Sequence, residues 1–227
     1  MTITIEHGPI VRNGRVVVKP AQLRFDAGAR IGLIGLNGGG KSTWLHGIAG
    51  MLRGARVVVR AGDQTLSHLA FTSQHPTLPR WLTVGEALDI LVMPRKSREE
   101  LAHRWGIQTL LPWPTRQLSK GETQFIASII ALECESLLRC LDEPFAALDL
   151  KRRRELIDGI AAQRFRSSVT IVTAQVASDL FEVCTEILMI RDGTLTTLGS
   201  VSALSSREPI NPRESFERQI VASLIET

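Results

Sequence analysis

The chain contains no tyrosine, and its first aromatic residue is Phe25. Any ring-stacking task near the N-terminus must therefore be done by something other than an aromatic side chain. Cysteine is scarce too: Cys134, Cys140 and Cys184 are odd in number and show no CxxC spacing. Such a set excludes a disulfide framework and a zinc knot, and points to a reducing compartment. His7, His46, His68, His75 and His103 have no metal-ligand spacing either. No apolar run approaches the roughly 20 residues that a spanning helix needs. The opening residues, MTITIEHGPIVRNGR, lack a charged leader followed by an apolar core, so neither a secretory leader nor a membrane span is expected. Internal repeats and low-complexity segments are also lacking. The charge excess is small, +4 in 227 residues, and spread along the chain, which makes nucleic acid an unlikely partner. The run Lys151-Arg152-Arg153-Arg154 reads as a solvated helix face.

What is present is an alternation of short apolar runs with longer helical segments, the pattern of βαβ units and a mostly parallel sheet. Strands are expected at 2–5, 15–18, 22–25, 30–34, 56–59, 69–72, 137–141, 169–173, 187–191 and 194–198. The first few lie too close together for crossover helices, so the N-terminal part is expected to be antiparallel. From His75 to Glu122 the β signals vanish in favour of Pro, Trp and helix formers. This predicts a helical insertion that Pro112 and Pro114 interrupt before Leu118. After Gly199, residues Phe216, Ile220, Val221, Leu224 and Ile225 form one apolar helical face, suited to packing on the core or to a partner contact.

The run RIGLI leads straight into Gly35-Leu36-Asn37-Gly38-Gly39-Gly40-Lys41-Ser42-Thr43. This is GxxxxGK[ST] between a strand and a helix, the context that makes the motif a phosphate cradle. Glycines let successive N–H groups turn inward around phosphates, Lys41 adds a cation, and Ser42 offers a hydroxyl to Mg²⁺. The helix that follows points its positive end at the same anion. Trp44 reads as a core residue rather than a base stacker.

A second apolar run, LLRCL, ends in Asp142-Glu143-Pro144. Lying beside the phosphate-loop strand, it would bring Asp142 to a metal and Glu143 to a water that attacks the terminal phosphate. The plainer alternative is an acidic N-cap for the next helix. Arg139, inside that strand, needs a partner or a route to solvent.

Together these elements resemble the nucleotide-binding subunit of ABC-family ATPases over nearly the whole chain. GLNGGGKST is similar to the family's Walker A, and CLDEP to its Walker B with the adjacent catalytic Glu143. Gln74 in FTSQHPTL resembles the Q-loop glutamine that helps to ligate metal. Leu118-Ser119-Lys120-Gly121-Glu122 resembles the signature LSGGQ, and Ala147-Leu148-Asp149 the D-loop. The resemblance implies an α/β P-loop NTPase core with a mostly parallel sheet, an antiparallel N-terminal β subdomain and a helical insertion. Its domains would be an ATP-binding core at 1–75 and 123–200, a helical subdomain at 76–122 and a C-terminal tail at 201–227.

The resemblance also assigns roles. Asn37, Gly38, Gly39, Gly40, Lys41, Ser42 and Thr43 would bind ATP. Ser42, Gln74 and Asp142 would hold Mg²⁺, and Glu143 and Gln74 would act in catalysis. Ser119, Gly121 and Asp149 would serve a nucleotide held by a second chain, in a head-to-tail homodimer or a heterodimer with a sister subunit. The implied function is ATP hydrolysis that drives separate integral membrane subunits of a transporter, on the cytoplasmic face of the membrane. Pro79, Trp81 and Leu82 would form the socket for those subunits. LSKGE and LTVGEAL lean towards export. Two other readings are a regulatory subunit that binds ATP but hydrolyses it weakly, and a soluble ABC ATPase acting on nucleic acid or ribosomes.

Departures from the family pattern are specific. Lys120 stands for the first signature glycine and Glu122 for its glutamine; a lysine can approach phosphate, whereas a glutamate opposes it. An ordinary helix cap is the alternative reading of LSKGE. The adenine-stacking aromatic is missing, and residues near Val11 or Arg12 take its position. The strand VTIVT is followed by Ala174 and Gln175, where the family has a switch histidine. A methyl group neither donates a hydrogen bond nor relays a proton, so slow hydrolysis is expected.

Overall fold

The computed structural model describes residues 1–92, 97–162, 167–206 and 211–225. In chain order, the first part holds β1 (Thr2–His7), β2 (Ile10–Arg12), β3 (Arg15–Val18), β4 (Ala21–Asp26), β5 (Arg30–Ile34), α1 (Lys41–Ile48), β6 (Val57–Ala61), β7 (Gln64–Thr65) and β8 (Ala70–Thr72). Then come α2 (Val84–Leu91), α3 (Arg98–Arg104), α4 (Lys120–Glu133), β9 (Leu138–Leu141), α5 (Leu150–Ala161) and β10 (Val169–Thr173). The last are α6 (Ala177–Val183), β11 (Glu186–Arg191), β12 (Thr194–Ser200), α7 (Val201–Ser205) and α8 (Pro212–Ile225).

The main sheet has the order β12-β11-β5-β10-β9-β8. Its pairs are parallel except β11 with β12. A second sheet, β4-β1-β6-β7, is antiparallel throughout, as expected for the N-terminal part. This is the α/β fold that the alternation predicts. One expectation fails: β9 does not lie beside β5, because β10 is inserted between them. Local periodicity carries no information on the order of non-consecutive strands.

β10 is buried along its whole length, and its alternation divides the core. Ile171 faces a cluster with Ile31, Leu33, Trp44 and the antiparallel sheet. Val172 faces the opposite cluster with Ile34, Leu141, Phe125 and the helices. Trp44 is fully buried as expected, and its indole N–H donates to His7 Nε2 at 3.0 Å, which satisfies the polar end of the ring.

In the helical insertion, α2 starts at Thr83 with a capping box to Glu86, and Val84, Leu88, Leu101 and Trp105 make its core. Helix α4 follows from Lys120 to Glu133. The tail helix α8 splits the expected apolar face: Phe216 and Ile220 are buried, whereas Val221 and Ile225 are exposed. Arg139 finds its partners inside. Its guanidinium donates to the carbonyls of Leu132 and Cys134 and to the Ser168 hydroxyl, and burial lowers its pKa. The basic run is a solvated face as expected, with Lys151 and Arg154 exposed, and its arginines are paired within the chain. Arg153 pairs with Asp179, and Arg154 bonds to Asp158 and Glu182. Arg152 bonds to Glu155 and lies over the Phe125 ring.

Candidate functional site

The phosphate loop leaves β5 at Gly35, where an added Cβ would lie 2.5 Å from the Ile190 carbonyl oxygen. No side chain fits there. Gly40, at φ +104, precedes α1 as its N-cap, and its Cβ would press on Val17 and Ile190 at 3.2 Å. No side chain caps α1, so its first N–H groups remain available to an anion. Asn37 and Gly38 are exposed, Gly39, Lys41 and Ser42 are half-buried, and Thr43 is buried. Lys41 turns back into the loop, donating to the carbonyls of Gly35 at 2.7 Å and Leu36 at 3.2 Å. Burial lowers its pKa, while the negative charges of Glu143 and Asp142 pull it upward. Those opposing effects place both carboxylates within electrostatic reach of the ammonium.

Asp142 is 1% exposed and follows β9 directly. It does not cap the next helix: Asp149 does, accepting the Arg152 N–H at 2.7 Å. Instead Asp142 Oδ1 accepts from the Thr173 hydroxyl at 2.8 Å. The same hydroxyl oxygen accepts the Glu143 backbone N–H at 2.7 Å. One threonine at the end of β10 thus ties together two neighbouring carboxylate residues, a role that no sequence motif marks. Its position could have been noticed, since it is the last strand residue before Ala174.

Glu143 holds a left-handed backbone, φ 49, a conformation that costs a non-glycine residue about 1–3 kcal/mol. Its Oε2 accepts two amides, from Gln74 at 2.8 Å and from Gln175 at 2.6 Å. Among the described residues no hydrogen bond reaches Oε1. Ala174 itself is half-buried and packs against the core. A cavity of about 140 Å³ beside it is lined by Glu143, Arg153, Gln175 and Asp179 among others.

Ser119, Gly121 and Asp149 gather elsewhere. Ser119 caps α4 through a reciprocal box, its hydroxyl accepting from Glu122 N–H at 3.2 Å and its own N–H donating to Glu122 Oε2 at 2.8 Å. A Cβ on Gly121 would come within 2.5 Å of the Ala147 carbonyl oxygen, so α4 begins against the turn that leads to Asp149. Among the described residues no hydrogen bond or ion pair runs from Ser119, Gly121 or Asp149 to the phosphate loop. The described His, Cys, Asp and Glu residues include no cluster of three that would hold a metal by itself. Near Val11 and Arg12 the chain forms a β2–β3 hairpin that turns at Asn13-Gly14, with Val11 opposite Val16 and both exposed.

The sequence profile of the family described as ABC transporter matches residues 18–146. The chain is 31% identical to the sulfate/thiosulfate import ATP-binding protein CysA of Neisseria meningitidis serogroup A, over 93% of this chain and 64% of that protein. A probable sulfate/thiosulfate import ATP-binding protein of Chlorella vulgaris is 32% identical, over 81% of this chain and 84% of that one. A putative 2-aminoethylphosphonate import ATP-binding protein of Salmonella typhi is 28% identical over 91% of this chain. A solved structure titled as the ATP binding subunit of an ABC transporter superposes with a TM-score of 0.76, covering 95% of this chain and 98% of its own at 21% identity. That likeness speaks for the fold.

Proposed function

The chain belongs to the ABC transporter family, and from that premise we propose that it binds and hydrolyses ATP to drive separate membrane subunits. It spans 64% of the length of the Neisseria relatives, so their activity is carried over only as part of this proposal. The observation that carries the reading is the convergence at the carboxyl ends of neighbouring strands in the main sheet. The glycine cradle and uncapped α1 face the ends of β9 and β10, where Asp142, Glu143, Thr173 and Gln74 are joined by hydrogen bonds.

In this reading Asn37 to Thr43 surround the phosphates, and Lys41 leaves its loop carbonyls for the terminal phosphate. Ser42, Gln74 and Asp142 offer a hydroxyl, an amide carbonyl and a carboxylate, hard oxygen donors that fit Mg²⁺. Gln74 spends its N–H₂ on Glu143, which leaves its carbonyl oxygen for the metal. Mg²⁺, when bound, neutralises phosphate charge. Glu143 accepts the proton of the attacking water. Ser119, Gly121 and Asp149 act on the nucleotide of a second chain, which explains why they lie apart from this chain's own phosphate loop.

Residues 1–75 and 123–200 form the ATP-binding core, 76–122 the subdomain that meets the membrane subunits, and 201–227 the tail. None of the helices among the described residues is long and apolar enough to cross a membrane, in keeping with a peripheral subunit on the inner face. The names of the relatives favour uptake over the export direction suggested by LSKGE and LTVGEAL. Arg153 and Arg154 pair with acidic side chains of the chain itself, which neutralises part of the basic run that a nucleic acid would need.

A second reading, weak hydrolysis, is favoured by Ala174. Steady-state ATPase of the purified protein decides between the two, with Glu143→Gln as the background. Hydrolysis above that background is expected, low in the wild type and raised by Ala174→His, whose ring has the neighbouring cavity to occupy. Wild-type rates equal to Glu143→Gln would overturn the hydrolytic reading, and a fast wild type indifferent to Ala174→His would overturn the low-turnover one.

A further inference from the structure

We infer that Gln175 is a positioning residue for Glu143: with Gln74 it clamps one carboxylate oxygen and leaves the other to meet the water. The inference rests on the reading of Glu143 as the proton acceptor, and four observations carry it. Both amides converge on the same atom, Oε2, at 2.8 Å and 2.6 Å, from two different strand ends. Oε1 receives no hydrogen bond among the described residues. The Glu143 backbone is held in its left-handed conformation by the Thr173 hydroxyl, which accepts its N–H at 2.7 Å. Finally, the Ala174 methyl leaves a cavity of about 140 Å³ bordered by Glu143 and Gln175, room for several waters.

The physical consequence is an asymmetric carboxylate. Two N–H donors on Oε2 neutralise part of its charge and fill its lone-pair directions, so Oε1, which accepts neither, is the better base. They also fix the side-chain torsions, so Oε1 points one way instead of sampling several rotamers. An amide keeps its donor at every pH, whereas an imidazole gains and loses a proton near neutrality. Gln175 therefore supplies a constant clamp at a strand end whose own next residue, Ala174, has no polar group. The residue does not touch the nucleotide in this account; it acts through Glu143.

The decisive comparison is Gln175→Glu, close in shape but carrying an acceptor where the donor was, 2.6 Å from Oε2 in the wild type. Gln175→Ala removes the donor, and Gln175→Asn shortens its reach. Loss of orientation of a reacting group costs on the order of 10- to 100-fold. The expected result is a fall of about that size in kcat for Ala, a larger fall for Glu and little recovery for Asn, with KM and ATP affinity within about twofold of wild type. A second measurement needs no turnover: modification of Glu143 by a water-soluble carbodiimide, followed by peptide mass spectrometry, should rise several-fold in all three variants. Wild-type kcat together with wild-type labelling in Gln175→Glu would overturn the inference, as would an effect confined to KM. If the wild type hydrolyses ATP no faster than Glu143→Gln, the hydrolytic reading fails on its own, and the labelling alone decides whether the clamp exists.

Discussion

Thr173 shows how much one hydroxyl can organise. It donates to Asp142, accepts from the Glu143 backbone, and is itself fully buried. Replacement by valine keeps the shape and β-branching but leaves a buried carboxylate oxygen and a part-buried N–H without their partner. Each such loss costs about 1–3 kcal/mol. Thr173→Val should therefore lower the melting temperature, by roughly 2–4 °C per kcal/mol for a chain of this size, and should depress ATPase activity as well. Thermal unfolding that matches the wild type would mean the bridge contributes nothing. At this scale the sequence was informative where a motif existed. The glycines, Lys41, Asp142 and Glu143 could all be named from spacing, because phosphate and metal chemistry demand those residue types in that order. Thr173 and the second amide on Glu143 were harder to see. Their partners come from different strands, and only the folded register brings Thr173 beside Asp142. Gln175 follows the position of the missing histidine in the sequence, but its contact with Glu143 is a tertiary fact.

Among the elements, α4 presents two explanations for the same residues. The box between Ser119 and Glu122 satisfies both as a helix cap, and a cap needs no second chain. A signature role adds a demand on charge that a cap does not make. Ser119→Asp preserves capping but introduces a carboxylate where a partner's phosphate would approach. Ser119→Ala removes the cap, at about 0.5–2 kcal/mol. The signature reading predicts that Ser119→Asp keeps the wild-type melting temperature yet abolishes ATP-dependent dimerisation in a Glu143→Gln background, measured by sedimentation velocity. If the aspartate variant still dimerises with ATP, Ser119 is a cap only. The elements themselves were largely legible. β5, β10 and β3 fall at the expected residues, and most other strands differ by one or two positions, as fraying ends commonly do. The β2–β3 hairpin was only half seen, although its Asn13-Gly14 turn, with both residues at positive φ, is a strong hairpin signal. The order of β5, β10 and β9 was not legible, because it depends on crossover connections rather than on any one segment.

At the scale of the whole molecule, the question is which surface transmits ATP binding to a partner. The loop around Pro79 is stapled to the LPWP segment: the Thr115 hydroxyl donates to the Pro79 carbonyl at 2.7 Å, and Thr115 N–H to the Leu82 carbonyl at 2.9 Å. Pro114 belongs to the same corner, bridged to Thr83. This corner leaves Trp81 81% exposed, while Trp113 and, on α2, Ile90 are also exposed within the same helical insertion. Exposed large apolar groups cost solubility and mark an interaction surface when they gather. The corner begins a few residues after Gln74, whose amide holds Glu143, so displacement of the corner by a membrane subunit would bear directly on the carboxylate proposed to accept the proton of the attacking water. Trp81→Glu tests this path. Since the side chain packs against almost nothing, the substitution should change stability by no more than about 0.5 kcal/mol. The ATP-induced rise in melting temperature, governed by ligand binding to the folded chain, should likewise be unchanged. Co-purification with membrane subunits from gently solubilised membranes of the producing cells should be lost, together with any stimulation of ATPase that those subunits cause. Retention of both by the glutamate variant would move the coupling surface away from this corner and leave the exposed tryptophan without a part in it.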